Sequence, residues 1–144
     1  MEGTVVCLDT SVLIDFYRKS DKSKSLFFKL SQKYVYFAVS AVTEYELCLG
    51  NSPEQNVFWG DFFSRIIVLP FDTKVVKQSI GIYQRLKQQN KLIPMPDIMI
   101  AGTALQNEMP LATLNRKHFE RISRLEIITE SHDRLAENKS MAVL

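Results

Sequence analysis

The sequence predicts a three-layer α/β/α domain built around a central parallel sheet. Short apolar, β-rich runs alternate with longer helical segments, the order expected of parallel strands joined by helical crossovers. The runs are apolar throughout rather than alternating, as in strands covered on both faces. Several helical segments also begin with a recognisable capping residue.

Thr4 to Leu8 reads as the first buried strand, ending at Asp9. Thr10 or Ser11 then caps a helix to about Lys19, with Val12, Leu13, Phe16 and Tyr17 on one side. A basic helix is expected from Lys22 to Gln32, and a second strand from Tyr34 to Val39. Ser40 looks like the cap of a helix that stops at Gly50. Ser52-Pro53-Glu54-Gln55 combines a capping Ser, a Pro at the first helical position and Gln three residues after the cap. That helix runs to about Ser64 and leads into a third strand, Ile66 to Leu69. Asp72 caps a long helix to about Asn90, and Met95-Pro96-Asp97 opens an apolar one ending near Asn107. Leu111 to Leu114, Arg116 to Ser123 and Leu125 to Thr129 complete the pattern as strand, short helix and strand.

One domain over residues 1–130, with a polar C-terminal tail over 131–144, accounts for all 144 residues. With 46% hydrophobic and 24% charged residues the composition is that of a globular protein. No apolar stretch is long enough to span a membrane, and the N-terminus lacks the features of a secretion signal, so a cytoplasmic location is expected. Cys7 and Cys48 lie in apolar surroundings without Cys-x-x-Cys spacing and read as free buried thiols. The net charge of +2 neither supports nor excludes a nucleic-acid substrate, because carboxylates in a site offset a basic rim.

The chemistry lies in the acidic residues. Asp9 stands where a parallel strand ends, the edge at which open α/β sheets place their sites. On its own it reads equally as a helix cap. Asp97 begins an apolar helix and on its own reads as a partner of the helix dipole. Glu44 and Glu46 lie on a short helix with few routes to solvent. Together these carboxylates can converge on one end of the sheet, where they repel one another unless cations neutralise them. Hard oxygen donors without a Cys or His cluster suit Mg²⁺ or Mn²⁺ rather than zinc. Two such ions can activate a water and stabilise the leaving oxygen of a phosphodiester.

Four stretches resemble the motifs of PIN-domain nucleases, and among these the VapC-type toxins of toxin–antitoxin pairs. Val5-Val6-Cys7-Leu8-Asp9-Thr10-Ser11 resembles the strand-Asp-Thr-Ser motif. Ser40 to Gly50, with Glu46-Leu47 shortly before the glycine, resembles the second motif. Ile93-Pro94-Met95-Pro96-Asp97 through Ala104 resembles the third, and Leu111-Ala112-Thr113-Leu114-Asn115-Arg116-Lys117-His118-Phe119 the fourth. The resemblance implies a PIN-like fold and Mg²⁺- or Mn²⁺-dependent cleavage of RNA. It makes Asp9, Glu46 and Asp97 the metal ligands, with Glu44 a neighbour.

The fourth motif departs from the family, since many PIN domains carry an aspartate at or just after the position of Asn115. An Asn carbonyl oxygen can still join a metal shell, and Thr113 can hold a bound water. Asn115 is therefore counted with Asp9, Glu46 and Asp97 in the catalytic set. Arg116, Lys117 and Thr113 are expected to contact RNA, with Arg121, Arg124, Arg85, Lys87 and Lys91 as further basic candidates. His118 reads as a phosphate contact or as a structural histidine. The family also implies a homodimer and a cognate antitoxin that covers the acidic site. Phe16, Tyr17, Phe27 and Phe28 serve either those interfaces or the core.

Two rivals stand beside this reading. A catalytically weakened RNA-binding or RNA-processing PIN module fits the carboxylate-free fourth motif, and metal-dependent RNA cleavage excludes it. A phosphotransfer domain using Asp9 as nucleophile fits poorly, because such sites usually want a second Asp where Ser11 stands.

Overall fold

The computed structural model describes residues 3–130; the expected polar tail lies outside the described residues. Five parallel strands form one sheet in the order β3-β2-β1-β4-β5. They are β1 Val5–Leu8, β2 Tyr36–Ser40, β3 Ile67–Leu69, β4 Leu111–Ala112 and β5 Ile127–Ile128. The helices are α1 Thr10–Arg18, α2 Leu26–Ser31, α3 Ala41–Cys48, α4 Pro53–Ser64, α5 Thr73–Gln88, α6 Met95–Gln106 and α7 Arg116–Phe119. The chain moves outward from β1 to β2 and β3, then returns to place β4 on the other side of β1. The switch in direction therefore falls between β1 and β4, where such sheets open a crevice at the strands' carboxyl ends.

The capping residues behave as their chemistry requires at most helices. Ser40 Oγ accepts the Thr43 amide at 3.0 Å, and Asp72 Oδ1 accepts that of Val75 at 3.1 Å. Ser52 and Gln55 exchange bonds in a complete capping box. Gly50 follows α3 with φ +75°, a left-handed conformation that stops a helix cheaply only at residues such as glycine. The helix expected over Lys22 to Gln32 is instead broken: Lys22–Lys24 form a 3-10 turn, and Ser25 caps α2 by accepting from Phe28. A buried Ser that can satisfy a helix N-terminus restarts the helix there. The last helix and strand are also shorter than expected, because Glu120 to Glu126 are spent on turns around the buried Ile122 and Leu125.

Each sheet face carries its own core. On one side Val12, Leu13, Leu26, Leu30 and Trp59 pack on Val6, Leu8 and Val39. The aromatic rings of Phe16, Tyr17 and Phe27 join this layer through Phe58, Trp59 and Phe62, so these three serve the core. Phe28 alone of that group is exposed. On the other side Ile82, Leu86, Ile98, Ile100 and Phe119 cover Cys7 and Leu111. There α5 and α6 pack closely enough that a Cβ on Gly102 would collide with Ser79 Oγ. Both cysteines are free thiols; Cys7 is buried, whereas Cys48 is only half-buried. Among the described residues, no helix is long and apolar enough to cross a membrane.

Candidate active site

The site assembles at the switch point. The Asp9 amide donates to the Ala112 carbonyl at 2.9 Å, which sets the residue after β1 beside the residue after β4. Asp9 is the N-cap residue of α1, yet its carboxylate makes no capping hydrogen bond. Thr10 and Ser11, expected as caps, do not cap either; their hydroxyls are turned to carboxylates. Ser11 Oγ donates to Asp9 Oδ2 at 2.7 Å, and Thr113 Oγ1 donates to the same oxygen at 2.8 Å. Each hydroxyl in turn accepts a backbone amide, Ser11 from Leu114 and Thr113 from Asn115. A hydroxyl has one proton, so an amide on its lone pair fixes which way that proton points. The start of the loop after β4 is thereby wired into Asp9.

Only 1% of Asp9 is exposed, and burial raises its carboxyl above the usual range. The Ser11 and Thr113 hydroxyls oppose that shift, and the charge of Asp97 adds to it. Asp9 and Asp97 therefore share one electrostatic neighbourhood. Thr113 is fully buried beneath Asp9. This corrects its expected contact with RNA: a side chain with no exposed surface cannot touch a substrate, and it fixes Asp9 instead.

Asp97 lies in the first turn of α6, and its Oδ2 is 2.7 Å from His118 Nδ1. His118 is thus a partner of the third acid; its side chain is 36% exposed and that of Asp97 16%. Glu46, exposed on α3, accepts a 2.7 Å hydrogen bond from Thr10 Oγ1. Thr10 Oγ1 also lies 3.1 Å from Thr43 Oγ1, which is 3.2 Å from Ser40 Oγ. A row of hydroxyls therefore connects the ends of β1 and β2 through to Glu46. Glu44 diverges from it, lining a shallow recess with Ala41, Tyr45, Cys48 and Leu49. There burial of the Cys48 thiol, and to a lesser extent the charge of Glu44, raise its pKa.

Asn115 is exposed at the start of α7 and spends no side-chain bond on capping, so its amide oxygen is not committed to the helix. Arg116 pairs with Glu120 at 3.1 Å, an exposed bridge weak enough for a phosphate to displace. Lys117 is exposed beside it. Arg121 is committed elsewhere, donating to the carbonyls of Lys91 and Leu92. Lys87 lies over the Tyr83 ring.

Among the described residues, no three His, Cys, Asp or Glu side chains close into a ready metal cluster. The donor chemistry nevertheless fits a hard divalent cation. Asp9 is a buried carboxylate whose ionisation is opposed by burial and by Asp97; a cation between the two acids removes both penalties. Sequence reasoning missed the Thr10–Glu46 and Asp97–His118 pairs. The only available signal was that Thr10 follows Asp9 directly and that His118 lies one helical turn after Asn115.

A PIN domain family model matches residues 6–125. Ribonuclease VapC1 of Methanocaldococcus jannaschii is 30% identical over 122 residues, covering 84% of this chain and 83% of that protein. The tRNA(fMet)-specific endonuclease VapC of Shigella flexneri is 33% identical over 124 residues, covering 82% and 92%. The DNA-bound VapBC complex of Salmonella typhimurium superposes with a TM-score of 0.78 at 25% identity, covering 88% of this chain and 98% of that one. The fold is that of a PIN domain, and the chain belongs to the PIN-domain family. Within that family it belongs with the VapC ribonucleases.

Proposed function

We propose that the chain is an endoribonuclease dependent on Mg²⁺ or Mn²⁺, acting as the toxin of a VapBC-type pair. The observation that carries the proposal is the buried Asp9 at the sheet's switch point, held by Ser11 and Thr113 and sharing its field with Asp97. Such a site favours a cationic guest and offers no nucleophile of its own.

Asp9 and Asp97 are the residues that would hold the ion, with Glu46 acting through its free oxygen or a water and Asn115 through its carbonyl. When bound, the cation supplies an activated water for attack on phosphorus and charge neutralisation for the departing oxygen. The chain's own residues do the rest. Ser11 and Thr113 fix the carboxylate plane of Asp9, and Thr10 orients Glu46. Arg116 and Lys117 contact the phosphates flanking the scissile bond. Ser11, Thr113 and Thr10 all act through carboxylates, so none needs to touch RNA.

A ribonuclease of this kind needs silencing, and the VapBC complex of Salmonella typhimurium supports an antitoxin as the silencing partner. Homodimerisation and residence in the cytoplasm accompany this reading. Expression of the chain alone should arrest growth and degrade RNA, and the protein encoded by the adjacent reading frame should reverse both. Normal growth with intact RNA, at an expression level where the folded protein is detected, contradicts the toxin assignment.

A further inference from the structure

The fourth motif lacks the acid that many PIN domains carry, and the structure shows what this chain has there. His118 reaches across from α7 and binds the third acid, with Nδ1 2.7 Å from Asp97 Oδ2. An ionised carboxylate only accepts hydrogen bonds, so Nδ1 is the nitrogen that carries the proton.

The contact is built into the packing. The α7 helix is anchored by Phe119, which is fully buried in the core under α6. Two residues further on, Arg121 Nη1 donates to the carbonyls of Lys91 at 3.2 Å and Leu92 at 3.0 Å. Those carbonyls belong to the segment that leads into α6. The turn carrying His118 and the entry to the helix carrying Asp97 are thus joined at two points, one of them the acid itself. Among the described residues nothing else fixes the Asp97 carboxylate: Pro94, at the N-cap of α6, offers no side-chain cap, and the Asp97 side chain makes no hydrogen bond other than that to His118.

We propose that His118 is the positioning residue of Asp97. Its Nδ1–H holds Oδ2 and leaves Oδ1 as the oxygen presented to the divalent cation. The inference rests on the metal-dependent reading above. In place of a fourth negative charge, the chain orients the third one. A carboxylate ligand held by an outer hydrogen bond loses less conformational freedom on binding, and removing such a partner lowers metal affinity by about 10–100-fold.

The test is calorimetry with Mn²⁺ alone on the intact protein, comparing wild type, His118→Ala and His118→Asn. An Asn side chain returns an N–H donor near the position of Nδ1. The Ala variant should bind Mn²⁺ about 10–100-fold more weakly, and the Asn variant should recover most of that loss. Circular dichroism should show all three folded alike. Equal Mn²⁺ affinity in wild type and His118→Ala overturns the proposal while leaving the metal reading intact. So does an Asn variant as weak as the Ala variant, since the imidazole would then act by something other than its Nδ1 donor. A folded wild type that binds no Mn²⁺ overturns the metal reading itself, and the proposal with it.

Discussion

Thr10 gives its hydroxyl proton to Glu46 Oε1 at 2.7 Å, joining the residue after the first acid to the acid on α3. Residues two apart on a helix point about 200° apart, so Glu44 cannot share that position. Glu46→Gln should abolish metal-dependent RNA cleavage, whereas Glu44→Gln should retain most of it. Cleavage rates on one RNA, with folding checked by circular dichroism, compare the two variants. An inactive Glu44→Gln beside an active Glu46→Gln would place the ligand two residues earlier.

Asp9 sets stability against function. Its carboxyl lies above the ordinary value of 3.8 because of burial and the charge of Asp97. Folding therefore favours the protonated form. Without a cation, the native state loses stability as pH rises from that ordinary value through the raised one, and the full cost persists above it. Asp9→Asn should melt higher than wild type in chelator at neutral pH, and the gap should close below the ordinary carboxylate range. Mn²⁺ should raise the melting temperature of wild type but not of Asp9→Asn. An Asp9→Asn protein that melts lower than wild type at neutral pH in chelator would show that the carboxylate stabilises the fold.

Asn115 has an uncommitted side chain at the start of α7. Asn115→Asp adds a charge beside the other acids, so Mn²⁺ should bind more tightly by calorimetry. Unchanged or weaker affinity would remove Asn115 from the metal shell.

The close approach of α5 and α6 tests the fold independently of the site. Gly102→Ala places a methyl group against Ser79 Oγ and should cost about 1–3 kcal/mol of stability in denaturant unfolding. Ser79→Ala in the same chain should recover part of the loss by removing the oxygen that collides. No loss in Gly102→Ala would mean that the helices separate freely.

Local chemistry was legible in the sequence wherever one residue type had one local task. Ser40, Ser52 and Asp72 cap helices because a short polar side chain beside orphan amides has little else to do. Asp9 at a strand end and Asp97 at a helix start were visible as candidates, each also readable as an ordinary helix-terminus residue, and Glu46 is preferred to Glu44 only by the family resemblance. Their wiring was not visible, because it depends on strand order. Thr113 meets Asp9 across 104 positions and Thr10 meets Glu46 across 36. Only the parallel placement of β4 and β2 on either side of β1 brings those hydroxyls to the acids. Thr10 and Ser11 read as cap candidates in the sequence, but in the folded sheet their hydroxyl protons go to Glu46 and Asp9. His118 was ambiguous for a similar reason: its partner on α6 is 21 positions away and is reached only through tertiary packing.

Metal-dependent cleavage of RNA by the acidic crevice is the central claim, and a cleavage assay on the purified chain tests it most directly. Wild type is incubated with labelled RNA in Mg²⁺, in Mn²⁺ and in chelator, beside Asp97→Asn in the same metals. Wild type should cut RNA in either metal and fall to background in chelator. Asp97→Asn should remain folded and lose at least ~100-fold in rate, since it removes a charge that holds the cation. Robust cleavage by wild type in chelator, or an Asp97→Asn protein as fast as wild type, would contradict the account.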